Sequence, residues 1–160
     1  MEICFATKRA VEEIAPLFLE LEEYYFGAGS SNLDEVKKYL ERQVFASHSG
    51  VRVVVAKENN QILGVATFAV LYPAPELRGQ IYMKDLFTAR SVRGKGVGTQ
   101  LLRFIAQQAI ELGCDRLDWT AETTNPKAAE FYLAKGARHV EEKQYFRFEG
   151  ENLRAFAQAS

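Results

Sequence analysis

The chain has 160 residues, 48% of them hydrophobic and 26% charged, which is the balance of an ordinary globular protein long enough for one domain with a substantial core. Twenty basic residues stand against twenty-one acidic ones, a formal net charge of −1, so no basic excess marks it as a binder of nucleic acid. The longest apolar run, Ile62 to Tyr72, reaches about half the length a membrane span requires.

The opening MEICFATKRAVEE has no apolar core after a basic start, so it does not read as a secretion signal. Residues 2–7 form a short predicted strand. From Arg9 to Phe26 the apolar positions Val11, Ile14, Ala15, Phe18, Leu21 and Tyr25 recur at helical spacing, with glutamates on the opposite face. GAGSSN breaks that helix, and Asn32 is placed to cap a second one from Leu33 to about Ala46. The period then changes. VRVVVAK and QILGVATFAVLY are strand-like runs joined by ENNQ, a hairpin turn; PAPELRG reads as a loop and QIYMKDLFTA (80–89) as a further strand.

After RSVRGKGVG (90–98), a stripe of Val97, Leu101, Leu102, Ile105, Ala109 and Leu112 predicts a helix that Gly113 ends. DRLDWTAE reads as a strand. NPKAAEFYLAKG is a short helix with Asn125 at the N-cap, Pro126 in the first helical position and Gly136 at the end. KQYFRFEG reads as a last strand and ENLRAFAQAS as a terminal helix. The order β-α-α-β-β-β-α-β-α-β is a mixed α/β arrangement, expected as a single domain over 1–160. Cys4 and Cys114 show no CxxC and no metal-ligand spacing, which favours buried thiols in a reducing cytoplasm and no metal site.

The glycine stretch admits three phosphate-binding readings. A P-loop needs G-x-x-x-x-G-K-[ST], which is absent, and a dinucleotide fingerprint fails because Thr99 stands where its third glycine belongs. The pattern that remains is R-x-x-G-x-G, from Arg93 through Gly96 and Gly98, opening into an amphipathic helix. Glycines let backbone N–H groups approach a pyrophosphate closely, and the helix N-terminus adds unpaired donors and partial positive charge. Arg93 and Lys95 add charge at the rim. A plain helix-entry turn explains the same letters.

Taken together, the strand, RSVRGKGVG, a helix and then LDWTAETTNPKAAEFYLAKGA resemble the acetyl-CoA-binding core of the GNAT superfamily of N-acetyltransferases, most closely over 80–137. Within it the chain is most similar to the diamine (spermidine/spermine-type) and thialysine acetyltransferases, through ELEEYY, LYPAP, IYMKDLF, RGKGVG and NPKAAEFYLAKGA. The resemblance implies a central twisted mixed sheet of six or seven strands flanked by helices, a homodimer, and acetyl-CoA as co-substrate. It implies that the backbone of Leu86, Phe87 and Thr88 pairs with the pantetheine arm. Arg93, Gly94, Lys95, Gly96, Val97 and Gly98, with Thr99 nearby, would hold the pyrophosphate. Asn125 would hydrogen-bond the cofactor arm and Tyr132 would stand near the thioester sulfur. For Asn125 a simple cap, and for Tyr132 ordinary helix packing, remain the structural alternatives.

The implied reaction asks for two proton movements. A primary amine of pKa about 10.4 is neutral in roughly one molecule in 2,500 at pH 7, so a group must accept its proton. The leaving thiolate needs a donor; a phenol of pKa about 10 facing a thiol of about 8.5 makes full transfer uphill by roughly 2 kcal/mol, which suits Tyr132 as a hydrogen-bond donor. Asp85 has the best positional support as base, with Glu122 and the first-helix glutamates, Glu22 among them, as further candidates. On regular alternation Tyr82, Lys84, Leu86 and Thr88 share one face of their strand and Ile81, Met83, Asp85 and Phe87 the other. The polyamine enzymes it resembles carry glutamate where this chain has Lys84, so a cation here disfavours a polyamine. Lys84 either pairs with a carboxylate on the acceptor or forms a salt bridge with Glu20, Glu22 or Glu23. The reading is acetyl transfer to a small-molecule amine in a ternary complex; a non-catalytic CoA sensor, a protein-lysine or N-terminal acetyltransferase, and a nucleotide-binding module are the alternatives.

Overall fold

The switch to strand-like patterning after Gly50 builds the frame of the molecule. In the computed structural model, which describes residues Met1–Ala159, five strands form one mixed sheet in the order β1 (Glu2–Phe5), β2 (Arg52–Glu58), β3 (Gln61–Ala74), β4 (Arg78–Thr88) and β5 (Cys114–Asp118). The first four pair antiparallel and β5 joins β4 in parallel. A parallel neighbour needs a crossover, and helix α3 (Val97–Glu111) supplies it. The β2–β3 turn is tight because Asn59 and Asn60 take left-handed φ values of 48° and 61°, a conformation asparagine tolerates well. The expected PAPELRG loop shrinks to Pro75–Leu77, since β3 continues through Ala74 and β4 begins at Arg78.

Helices cover both sheet faces. On one side lie α1 (Val11–Phe26) and α2 (Leu33–Tyr39), whose Ile14, Phe18, Leu21 and Val36 share a core with Val53, Val55, Val65 and Phe87. Asn32 caps α2 as expected, in a reciprocal box: the Glu35 N–H donates to Asn32 Oδ1 at 3.0 Å and the Asn32 N–H donates to Glu35 Oε2 at 3.0 Å. The α-helix stops earlier than Ala46, passing into a π-helical turn at Leu40–Val44.

The other face receives α3, which buries Val97, Leu101, Leu102, Ile105 and Ala109. Phe68 meets it through Phe5, whose ring lies 6.3 Å from Phe68 and 5.3 Å from Phe104.

The alternation expected along β4 is broken by one extra residue. Thr67 pairs with Asp85 while the next β3 residue, Phe68, pairs with Met83, so Lys84 is bulged out of the ladder. Opposite residues of an antiparallel pair share a face. The register therefore puts Ile81, Met83, Leu86 and Thr88 on the α3 side. Tyr82, Asp85 and Phe87 lie on the α1 side. This corrects the regular-alternation grouping, which holds only on either side of the bulge.

The chain divides into two compact units, Met1–Thr120 and the residues from Ala121 onward. The second holds α4 (Pro126–Leu133) and α5 (Gly150–Gln158). KQYFRFEG, expected as a last strand, is not a strand: among the described residues it joins no ladder, and strand propensity without a neighbouring strand does not make one. The sheet thus has five strands, where six or seven were expected.

Candidate functional site

In the first unit the site begins where two strands part. The β4–β5 register runs from Gly79↔Cys114 to Tyr82↔Asp118 and ends there, so among the described residues no strand pairs with the β5-side edge of β4 from Met83 to Thr88. The end of the pairing is braced by side chains: Gln80 Nε2 donates to Asp118 Oδ2 at 2.9 Å, and the Tyr82 and Thr120 hydroxyls lie 3.4 Å apart. Leu86, Phe87 and Thr88 lie on this open edge.

The chain then turns through Arg90–Val92 into the glycine loop. Gly94 and Gly96 have φ of 77° and 82°, and a Cβ at either would meet nothing within 4 Å, so the loop is open on its outer side. Gly96 is the N-cap residue of α3, and the first intrahelical bond is Gln100 N–H to the Gly96 carbonyl at 3.1 Å. The N–H groups of Val97, Gly98 and Thr99 are therefore first-turn donors with no acceptor inside the helix. The first turn has neither a side-chain cap nor an acidic residue. That arrangement suits an anion.

Helix α1 pins this loop. Glu20 Oε1 accepts the Arg90 N–H at 2.8 Å, and the Arg93 guanidinium lies 5.3 Å from the Tyr24 ring centre and 5.4 Å from that of Phe87. Arg93 Nε also donates to the Thr88 carbonyl at 3.5 Å. Arg93 is thus tied to the end of β4 and to α1, a set of contacts the linear motif does not show. Glu20 and Tyr24 stand four residues apart on one helix face, the only sequence signal that they act together.

Asp85 is half-buried on the α1 side of β4, where the Thr67 hydroxyl donates to its Oδ2 at 2.5 Å. Thr67 was not anticipated; it is a buried polar residue of β3 directly across the ladder. Glu22 is half-buried on α1. Lys84 is exposed at the bulge, and among the described residues no salt bridge joins it to Glu20, Glu22 or Glu23.

Three further candidates belong to the second unit. Asn125 Oδ1 accepts the Ala128 N–H at 3.3 Å, the N-cap bond expected of it, with Pro126 in the first turn. Its own N–H donates to the carbonyl of the exposed Glu122 at 2.9 Å. Tyr132 is half-buried, with its ring edge-on to Phe131 at 5.2 Å. Its carbonyl receives N–H bonds from Lys135 and Ala137, while Gly136 turns left-handed at φ 88° and closes α4. Among the described residues no group of three or more His, Cys, Asp or Glu could hold a metal ion.

An open strand edge, a glycine turn and an uncapped helix start define a fold class that sequence comparison names. Residues 14–137 match the acetyltransferase (GNAT) family, and the chain belongs to that family. It is 34% identical over 80 residues to a thialysine N-epsilon-acetyltransferase of Bos taurus, an alignment covering 48% of this chain and 47% of that protein. It is 33% identical over 94 residues to an L-ornithine N5-acetyltransferase of Arabidopsis thaliana, covering 59% of this chain and 41% of that one. The chain thus aligns with about half the length, or less, of these two curated relatives. Among solved structures, an integron cassette protein from the mobile metagenome of V. cholerae superposes with a TM-score of 0.95 at 47% identity, over 99% of this chain and 98% of that one.

Proposed function

We propose that this chain is an N-acetyltransferase that moves acetyl from acetyl-CoA to the primary amine of a small amino-carboxylate, working as a homodimer in the cytoplasm. The observation that carries the reading is the continuous run from the open β4 edge through the glycine loop to the uncapped start of α3. The family match crosses the boundary between the two units, which supports a single catalytic domain over 1–160.

The residues fit CoA. Among the described residues no strand pairs with Leu86, Phe87 and Thr88 on the β5 side, as an extended amide-bearing arm requires. Arg93, Gly94, Lys95, Gly96, Val97, Gly98 and Thr99 would hold the pyrophosphate on backbone donors, and Asn125 would bind the arm. When bound, acetyl-CoA supplies an acetyl group activated as a thioester. Asp85 would accept the amine proton, directly or through water; its Oδ2 is already held by Thr67, which fixes the carboxylate. Tyr132 would donate a hydrogen bond to the departing sulfur. Neither cysteine is placed as a nucleophile: Cys114 is buried, and burial, with Glu2 adding, pushes the Cys4 thiol above its ordinary pKa. Direct attack by the amine is therefore the favoured route, organised by positioning.

Lys84 supports an amino-carboxylate acceptor. It is an exposed cation on the strand that carries Asp85, no salt bridge neutralises it among the described residues, and thialysine and ornithine, the acceptors in the relatives' names, are amino acids. The test is thiol-detected CoA release over amino acids, diamines, aminoglycosides and lysine peptides. Amino acids are the expected substrates, and Lys84→Glu should shift the kcat/KM ratio toward diamines by about ten- to a hundredfold, as for loss of one charged contact. Unchanged preference removes the role of Lys84; silence across the panel despite CoA binding removes the enzyme.

A further inference from the structure

The glycine loop carries two cations, Arg93 and Lys95, and the fold treats them differently. Helix α3, whose first-turn N–H groups suit an anion, covers one face of the sheet. The Arg93 guanidinium lies toward the other face, beside the ring of Tyr24 from α1 and the ring of Phe87, which belongs to the core under α1. Those two rings are 6.0 Å apart and inclined at 56°, a corner that a flat cation can face on both sides. Arg93 Nε donates to the Thr88 carbonyl as well. The charge of Arg93 is thus directed at β4 and α1. Lys95 is exposed, and among the described residues no salt bridge takes its ammonium.

The loop backbone is tied to α1 at a second point. A run of N–H bonds leads from Ala89 to the Leu63 carbonyl, from Val92 to Ala89 and from Lys95 to Val92, ending one residue before Gly96. Glu20 Oε1 enters this run near its start by accepting the Arg90 N–H. Glycines leave a loop many conformations, and each one lost on binding weakens the ligand. Ties made beforehand remove that cost.

We propose that Glu20 and the Arg93 side chain are positioning residues, which hold the glycine loop against α1 so that its backbone donors stand ready for the pyrophosphate, and that Lys95 is the loop cation that meets the phosphates. This rests on the acetyl-CoA reading above, in which the Arg93 backbone keeps its place.

The experiment pairs hydrogen exchange of the CoA-free protein with calorimetric titration of CoA. Glu20→Ala should speed exchange of the Arg90 amide and weaken CoA binding, each by about tenfold, the effect of one hydrogen bond. Glu20→Gln keeps an acceptor oxygen and should restore both. Arg93→Lys keeps the charge but loses the planar fork, and should weaken CoA about tenfold with the wild-type salt dependence. Lys95→Ala should instead flatten the loss of affinity between about 0.05 and 0.5 M salt. Wild-type affinity in Arg93→Lys, or an unaltered salt dependence in Lys95→Ala, overturns the division of labour between the two cations. Wild-type affinity in Glu20→Ala, or a Glu20→Gln as impaired as Glu20→Ala, overturns the positioning role of Glu20. A wild type that binds no CoA, with the Arg90 amide still released by Glu20→Ala, overturns the acetyl-CoA reading itself.

Discussion

Asp85 and Tyr132 are both ionisable side chains beside a motif, and the fold gives them different supports. Asp85 is held across the ladder by Thr67, 18 residues away in sequence, whereas Tyr132 sits on a short helix whose two ends are made locally, by Asn125 and Gly136. Replacing Tyr132 with Phe keeps the ring beside Phe131 and removes only the hydroxyl. Steady-state kinetics should show kcat about ten- to a hundredfold lower, the cost of one hydrogen bond to a developing charge, with KM for CoA little changed. A kcat equal to the wild type would leave Tyr132 a packing residue. The caps at Asn32 and Asn125 were legible in the sequence because a cap is settled within three residues. Thr67, Glu20 and Tyr24 were not, because each acts on a partner brought to it by the fold.

At the level of elements, a glycine that matters to packing lies outside the glycine loop. A Cβ on Gly64 would come within 2.9 Å of Val97 Cγ1, 3.0 Å of Leu101 Cδ1 and 3.1 Å of the Phe87 carbonyl, so β3 meets the first turns of α3 with no side chain between. Gly64→Ala should cost about 1–3 kcal/mol as an overpacked contact, measured by denaturant unfolding. CoA affinity should fall too, because Val97 and Leu101 set where α3 begins. An unchanged midpoint would show that α3 yields freely. Helix positions followed from apolar spacing and strands β2–β4 from β-rich runs, both patterns being internal to one segment. The bulge did not follow, because it belongs to the register between two strands.

For the molecule as a whole, the sequence spoke for a family and a layered fold more readily than for the end of the sheet. KQYFRFEG has a strand's letters, but a strand exists only where another pairs with it, and among the described residues this segment joins no ladder. The layering accommodates one extra residue, Lys84. In a regular strand every second residue points the same way, and here that parity is reset midway along β4, with Met83 facing α3 and Asp85 facing α1. Lys84 is thus an insertion relative to the packing. Deleting it would leave Ile81, Met83, Leu86 and Thr88 on one face and Tyr82, Asp85 and Phe87 on the other, as they stand now. A chain lacking Lys84 should therefore fold with nearly the wild-type melting temperature, read by calorimetry. It should lose acetyl transfer, because the local bend of the bulge beside Asp85 would go, and the Lys84 ammonium with it, while both halves of β4 keep their partners on β3. A deletion that unfolds the protein would show that the bulge serves stability. One that folds and falls silent would show that a single supernumerary residue was kept for chemistry alone.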